Sequence, residues 1–290
     1  MSSSQQIRVQ SKALKKIKRV VIHNPEPLNQ SVLIGIPSTG KIRFEWHSAM
    51  QSLMFPTWWA MSYYHPIGYD VATARNMIVE SALMGSKSEW IFFIDHDVLV
   101  PEETPVILRK YMTAAKYPIV SGYYYTKSNP PEPLIYKAGQ TGPYYNWKKG
   151  DKVWASGTGL GLTLIHTSIF RNMAPPWFVT PNHMLTMQES EYKAITKAKE
   201  NTPWSSSGYR ISGTEDIYFY NRVVNEGIIN KAGWKVPDPN NPILIDTDFF
   251  GGHIDFNSGK IYPNCMGNAH MVNHDAALAA LKSKNKKCRS

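Results

Sequence analysis

Two aspartates one residue apart, Asp95 and Asp97, close the run of apolar residues in "EWIFFIDHDVLVP". Ile91, Phe92, Phe93 and Ile94 lead straight into them, with polar residues upstream and Pro101 downstream. A run this short and β-favouring reads as a buried central strand of a parallel sheet. Parallel sheets bind ligands at the carboxyl ends of their strands, where both aspartates fall. Strand side chains alternate, so residues i and i+2 would aim both carboxylates into one crevice. Two anions so placed repel, and a divalent cation relieves the repulsion. Asp-X-Asp pairs also arise by chance, and an aspartate after a strand often only caps a helix or closes a turn.

The elements needed to hold such a pair alternate along the chain. "SVLIGIPSTG" is a strand that stops at Pro37 and opens into a polar loop. A helix is expected from about Phe44 to Phe55, and "TWWAMSYYH" is the next strand. "DVATARNMIVESALMG" places Val71, Ala74, Met77, Ile78, Ala82 and Leu83 at helical spacing, with Gly85 as its stop. Strand, helix, strand, helix, strand is the order of a doubly wound sheet. A helix begins in "PEETPVILRKYM" and "YPIVSGYYYT" is a further strand; residues 129–150 then form a loop-rich excursion over the sheet. Leu160 to Ile165 return to strand. Residues 175–213 are irregular, with a helical insert around "MQESEYKAITKAKE", and suit a mobile lid or acceptor loop. In "GTEDIYFYNRVVNEG" Thr214 caps a helix, Glu215 and Asp216 fill its first turn, and Gly227 stops it. "NPILIDTDFFGGHIDF" gives a short strand and a loop carrying His253.

Composition supports one α/β domain. The 290 residues are 42% hydrophobic, enough for a sizeable core. No apolar run reaches the roughly 20 residues of a membrane span, and "MSSSQQIRVQ" has no apolar signal core, so a soluble cytoplasmic protein is expected. Cys265 and Cys288 are expected to be reduced thiols. The net charge of +10 is concentrated at the ends: six basic residues lie in 1–19 and five in 282–290, leaving 21 Lys and Arg against 22 Asp and Glu. The expected division is a basic extension over 1–28, a catalytic domain over 29–275 and a basic tail over 276–290. Such tails can hold a polyanion near a folded body.

In order along the chain, the Pro-Ser-Thr loop, "ARN" on a helix, "FFIDHDVLVP", "SGTGLGLTLIHTSIF", "PWF", "TEDIYFYNRVVNEG" and "GGHID" resemble GT-A glycosyltransferases of the broad family 2 type, especially bacteriophage-encoded members. The resemblance runs from about Ser31 to Asp255. It implies a single GT-A domain, with a Rossmann-like, mostly parallel sheet and helices on both faces. The implied activity is transfer of a hexose or pentose from a nucleotide diphosphate sugar, a UDP-sugar foremost, to an acceptor hydroxyl.

By the same resemblance Asp95 and Asp97 match the DxD motif. Asp97 binds the metal, Asp95 the ribose or the metal's water shell, and His253 supplies a third ligand to Mn²⁺ or Mg²⁺. His96 is expected to point away from the crevice. Pro37, Ser38 and Thr39 match the nucleoside loop, and Arg75 and Asn76 lie against the nucleotide, although Asn76 could equally be a buried structural hydrogen bonder. The acidic residue that grips the base is not evident; Asp70 lies nearby. Asp216, with Glu215, matches the "ED" pair whose carboxylate takes a proton from the acceptor in inverting enzymes. Trp154, Gly157, Thr158 and Gly159 line the sugar and acceptor pocket, with Trp177 and Trp204 as further platforms. Phage character and basic ends suggest a hydroxymethylated base in DNA as acceptor, met by the aromatic loop Tyr123 to Trp147 with Lys127, Lys137, Lys148 and Lys149. The competing expectation is a nucleic-acid-binding protein whose GT-A-like body is catalytically silent.

Overall fold

A computed structural model describes residues 30–56, 59–180 and 214–263. The basic extension and tail, both cysteines, Trp204 and the insert "MQESEYKAITKAKE" lie outside the described residues. The elements are β1 Val32–Gly35, α1 Phe44–Gln51, β2 Met61–Tyr64, α2 Val71–Glu80 running on through a wider turn at Ser81–Gly85, β3 Trp90–Ile94, β4 Val98–Leu99, α3 Thr104–Ala114, β5 Ile119–Tyr123 and β6 Ile135–Tyr136. They continue with β7 Lys152–Ala155, β8 Gly157–Thr158, β9 Leu162–His166, α4 Ser168–Arg171, α5 Glu215–Asn225, α6 Ile228–Lys231, β10 Ile243–Phe250, β11 Gly252–Ile254 and β12 Ile261–Tyr262.

Seven strands form the main sheet in the order β2-β1-β3-β9-β5-β10-β7. The fold is of the expected α/β class. Its sheet is mixed: β2, β1 and β3 are parallel, β10 is parallel to β5, and β9 and β7 run against their neighbours. The reversal of β9 follows from the excursion before it, which holds no crossover helix among the described residues. Gly161 arrives beside Asp95, at the carboxyl end of β3, so the strand that follows must run back down between β3 and β5.

The all-apolar β3 is explained by burial on both faces. Ile91 and Phe93 join a cluster with Ile78 and Val79 of α2 and Phe219 and Val223 of α5. Trp90, Phe92 and Ile94 join another with Trp46 of α1 and Leu108 and Met112 of α3. Each such side chain contributes roughly 1.5–3 kcal/mol by leaving water. Asp70 accepts from Thr73 N at 3.0 Å and so caps α2, which assigns it a structural role.

A second sheet, β12-β11-β4, sits beyond the end of β3. It corrects the expectation that His253 lies in a loop. His253 is on β11, directly opposite Val98 of β4, and Ile254 N donates to Asp97 O at 2.8 Å. Two elements 155 positions apart are thereby brought to one point, Asp97 and His253 being neighbours across a short antiparallel ladder.

The sheet admits no side chain at Gly122 on β5. A Cβ there would stand 2.7 Å from the Phe249 carbonyl oxygen and 2.5 Å from Leu162 Cδ2. Gly122→Ala is expected to cost about 1–3 kcal/mol by overpacking, read as a lower midpoint in thermal or urea unfolding; an unchanged midpoint would show that β5 and β10 have room to separate.

Candidate active site

The chain turns immediately after β3, and Val98 N donates to Asp95 O at 3.0 Å. The expected i, i+2 alternation therefore does not apply to Asp95 and Asp97, because the extended backbone it requires has ended. The turn presents the two carboxylates to different partners. His96, between them, packs toward Phe256.

Asp95 faces Arg75. Arg75 sits on the buried face of α2 with 2% of its surface exposed, and its Nη2 donates to Asp95 Oδ1 and Oδ2 at 2.8 and 3.0 Å. Its Nη1 donates to Glu215 Oε1 at 2.5 Å. Burial alone would lower the guanidinium pKa, but the charges of Asp95, Glu215 and Asp216 outweigh it and hold Arg75 above its usual value. Arg75, expected against the nucleotide, is here committed to two carboxylates, Asp95 and Glu215. Trp46 Nε1 fixes the same point from α1 by donating to Asp95 O at 3.0 Å.

Asn76, the neighbour of Arg75, is also committed. Its Nδ2 donates to Phe178 O at 2.8 Å and its Oδ1 accepts from the backbone of Trp177 and Phe178. It is the structural hydrogen bonder, and it pins the chain end that leads away from the "PWF" segment. Trp177 itself is core, with Nε1 donating to Phe170 O and Met173 O.

Glu215 and Asp216 open α5, and their roles separate. Glu215 is buried and held by Arg75. Asp216 Oδ1 accepts from Ile217 N at 2.7 Å and from the Thr214 hydroxyl. Thr214 stands at the N-cap position, but its hydroxyl goes to Asp216 instead of capping the helix. Burial pushes the Asp216 carboxyl up to about 7; Arg75 opposes this, while Glu215 and Asp95 add to it. A carboxylate poised there can exchange a proton near neutrality.

Asp97 belongs to a second cluster. Its Oδ2 lies 3.5 Å from His253 Nε2 and 2.5 Å from Lys127 Nζ. Burial alone would raise its pKa, but the imidazole and the ammonium prevail and hold it well below the carboxylate range. His253 Nδ1 lies 2.7 Å from the Tyr125 carbonyl oxygen, which only accepts. Nδ1 therefore carries a proton, and Nε2 is the ring atom turned toward Asp97. Among the described residues no three His, Cys, Asp or Glu side chains converge as a complete metal cage. A carboxylate and an imidazole nitrogen turned on one point nonetheless fit a divalent ion that draws its remaining ligands from substrate phosphates and water. As placed, Asp95 serves Arg75 and is not part of that set.

The glycine-rich approach to β9 runs past both clusters. A Cβ at Gly161 would stand 2.6 Å from Asp95 Oδ2, and one at Gly159 would stand 2.1 Å from the Tyr124 hydroxyl. Gly157 touches Ile217, one residue beyond Asp216. Thr158 is fully buried and donates to Leu134 O at 2.7 Å. Trp154 lies elsewhere: its ring packs against Tyr117 at 5.6 Å, ahead of β5 and toward the end of the sheet opposite Asp95. It faces away because β7 is the sheet's outer strand, paired only with β10.

Pro37, Ser38 and Thr39 follow β1, whose Gly35 is level with Phe93; two residues beyond that pair lie Pro37 and Asp95. Gly40 N donates to the Ser38 hydroxyl at 3.0 Å, and Gly68 N donates to Ser38 O at 2.9 Å. The loop is thus set beside the site at the carboxyl end of the sheet. Trp46 and Gly161 were not visible as site residues in the sequence, and Lys127 was expected to meet DNA instead of Asp97, although the repeated glycines of "GTGLG" signal close backbone approach.

No family model matches the chain, and no curated protein matches it. Among solved structures, the crystal structure of A197 from STIV is similar at 16% identity and TM-score 0.48, over 78% of this chain and 86% of that one. S. aureus TarS 1-349 in complex with UDP-GlcNAc is similar at 10% identity and TM-score 0.38, over 77% of this chain and 57% of that one. The chain thus spans less than two thirds of that TarS fragment, and the functional reading rests on the site itself.

An ionised Asp216 opposes folding. Its folded pKa, about 7, exceeds the ordinary 3.8, so the folded state favours the proton. The stability this costs grows as pH rises through the interval between those values and is complete above about 7. Asp216→Asn should therefore raise the unfolding midpoint at pH 8, with the gain shrinking toward pH 4; a gain independent of pH would refute the elevated pKa.

Proposed function

We propose that the protein is a metal-assisted glycosyltransferase that moves a sugar from a nucleotide diphosphate sugar to an acceptor hydroxyl. The observation that carries this reading is the placement of Asp216. Its carboxyl is raised to about 7, its Oδ1 is fixed by Ile217 N and Thr214, and no described residue bonds its Oδ2. That oxygen can take the proton of an acceptor hydroxyl as the hydroxyl attacks the anomeric carbon, a displacement that inverts configuration. Glu215 is bound to Arg75 and acts by positioning: it ties the first turn of α5 to the turn after β3.

Asp97 and His253 would hold Mn²⁺ or Mg²⁺ at the other end of the crevice. When bound, the ion supplies positive charge to the diphosphate leaving group. The Pro37-Ser38-Thr39 loop, level with Asp95, is suited to the nucleoside of a UDP-sugar.

A DNA acceptor has narrower support. Tyr123, Tyr124, Tyr125 and Trp147 are buried in the core and cannot stack on bases. Lys127 is bound to Asp97, and Lys137 lies over the Tyr144 ring. Exposed Lys148 and Lys149 remain for a phosphate backbone.

The deciding assay is nucleoside diphosphate release from UDP-, GDP- and dTDP-sugars with Mn²⁺ or EDTA, with and without duplex DNA carrying hydroxymethylated bases. One donor should turn over only with metal. Asp216→Asn should lower kcat by roughly 10²–10⁴-fold and leave donor binding intact. For the wild type, kcat should fall as pH drops through about 7, because protonation removes the base. Neither turnover nor binding of any donor would overturn the reading and favour a silent binding protein.

A further inference from the structure

Lys127 occupies an unusual place for a lysine on a surface hairpin. Its ammonium is 2.5 Å from Asp97 Oδ2, the atom that also lies 3.5 Å from His253 Nε2. One carboxylate oxygen, Asp97 Oδ2, thus has two partners, the ammonium and the edge of the imidazole, which converge on it. We infer that Lys127 is the resident cation of this site, yielding Asp97 when a divalent ion enters and turning then to the diphosphate of the donor. The inference rests on the metal-assisted reading above.

The backbone around Lys127 is suited to such an exchange because it stays in place while the side chain moves. Tyr125 pairs with Pro133, Thr126 N donates to Glu132 O at 2.8 Å, and Glu132 N donates to the Thr126 hydroxyl at 3.0 Å. Ser128 adds hydrogen bonds to the Thr126 hydroxyl and to Pro130 O. The same hairpin supplies the Tyr125 carbonyl that orients His253, so one rigid strip sets both the imidazole and the ammonium. The lysine stem has four rotatable carbons, and the side chain is 27% exposed, so its head can move within the crevice mouth. Without donor, the ammonium offsets the Asp97 charge and disfavours loading of the free protein. With donor, a second anion appears, and both cations have partners: the divalent ion between Asp97, His253 and the phosphates, and Lys127 on a remaining phosphate oxygen. Metal and donor binding are then coupled through one side chain.

Two binding measurements on the full chain test this, with no turnover involved. Mn²⁺ affinity of the free protein is measured by electron paramagnetic resonance for wild type, Lys127→Met and Asp97→Ala. Nucleoside diphosphate affinity is then measured by calorimetry at saturating Mn²⁺. Lys127→Met should bind Mn²⁺ about five- to tenfold more tightly than wild type and bind the diphosphate more weakly by a similar factor. Lys127→Arg, which keeps the charge, should follow wild type in the first measurement and controls for folding. If Asp97-dependent Mn²⁺ binding is present but unmoved by Lys127→Met, or if diphosphate affinity is unmoved, the exchange is overturned and the metal site stands. If no variant shows Mn²⁺ binding that depends on Asp97, both the exchange and the metal assignment fail.

Discussion

The ion triad centred on Arg75 is the constraint on which the site depends. A guanidinium with 2% of its surface exposed is tolerable only if its charge is matched, and here one fork joins α2, the turn after β3 and the start of α5. The three segments are remote in sequence, Arg75 being 140 residues from Glu215. Neither carboxylate could be left inside the domain without the cation, and the cation could not be left without them. The triad therefore acts as a registry pin. It fixes which residue of α5 meets the end of β3, and so decides that Asp216, one residue past Glu215, arrives beside Asp95 with its carboxyl raised by burial and by neighbouring acids.

The charges near the carboxyl end of β3 fall into two groups. Arg75 serves Asp95 and Glu215; Lys127 and His253 serve Asp97. The difference between the two cations is chemical. Arg75 is planar, buried and bound through a fork, which suits permanent structure, whereas Lys127 is a point charge on a flexible stem at the surface. The turn at Asp95–Val98 separates the groups, so a motif that reads as one pair of carboxylates operates as two independent partners.

What the sequence made legible was governed by local rules. The β3 strand, the amphipathic pattern of α2 and the first turn of α5 follow from periodicity and capping, and each is where the pattern puts it. Asp97, His253 and Asp216 could be singled out by type and order. Their geometry could not, because it comes from pairings without local signature. His253 is placed by the β4–β11 ladder, two residue pairs joining segments about 155 positions apart, and a run of two or three strand residues is invisible to a period-two search. The partners of Arg75 and Asn76 were hidden for a related reason: a polar residue on a helix reads as available for ligand until its buried partners are known, and for Asn76 the structural reading stood open beside it. Trp154 was expected at the sugar pocket from the resemblance alone, and its ring packs against Tyr117 on the outer strand β7.

The two sheets differ in how much holds them. The main sheet has strands of four to eight residues packed between two hydrophobic clusters, whereas β4, β11 and β12 have two, three and two residues. Few backbone hydrogen bonds secure the small sheet, whose hold on the body comes mainly from buried Val98 and Ile254, and this places it below the main sheet in local opening free energy. Asp216 and the Arg75 triad are anchored to the robust body, while the face bearing His253 can unzip without global unfolding. The carboxyl raised to about 7 and the Asp97–His253 pair are thus held by different elements, so the small sheet can open while the Arg75 triad stays assembled.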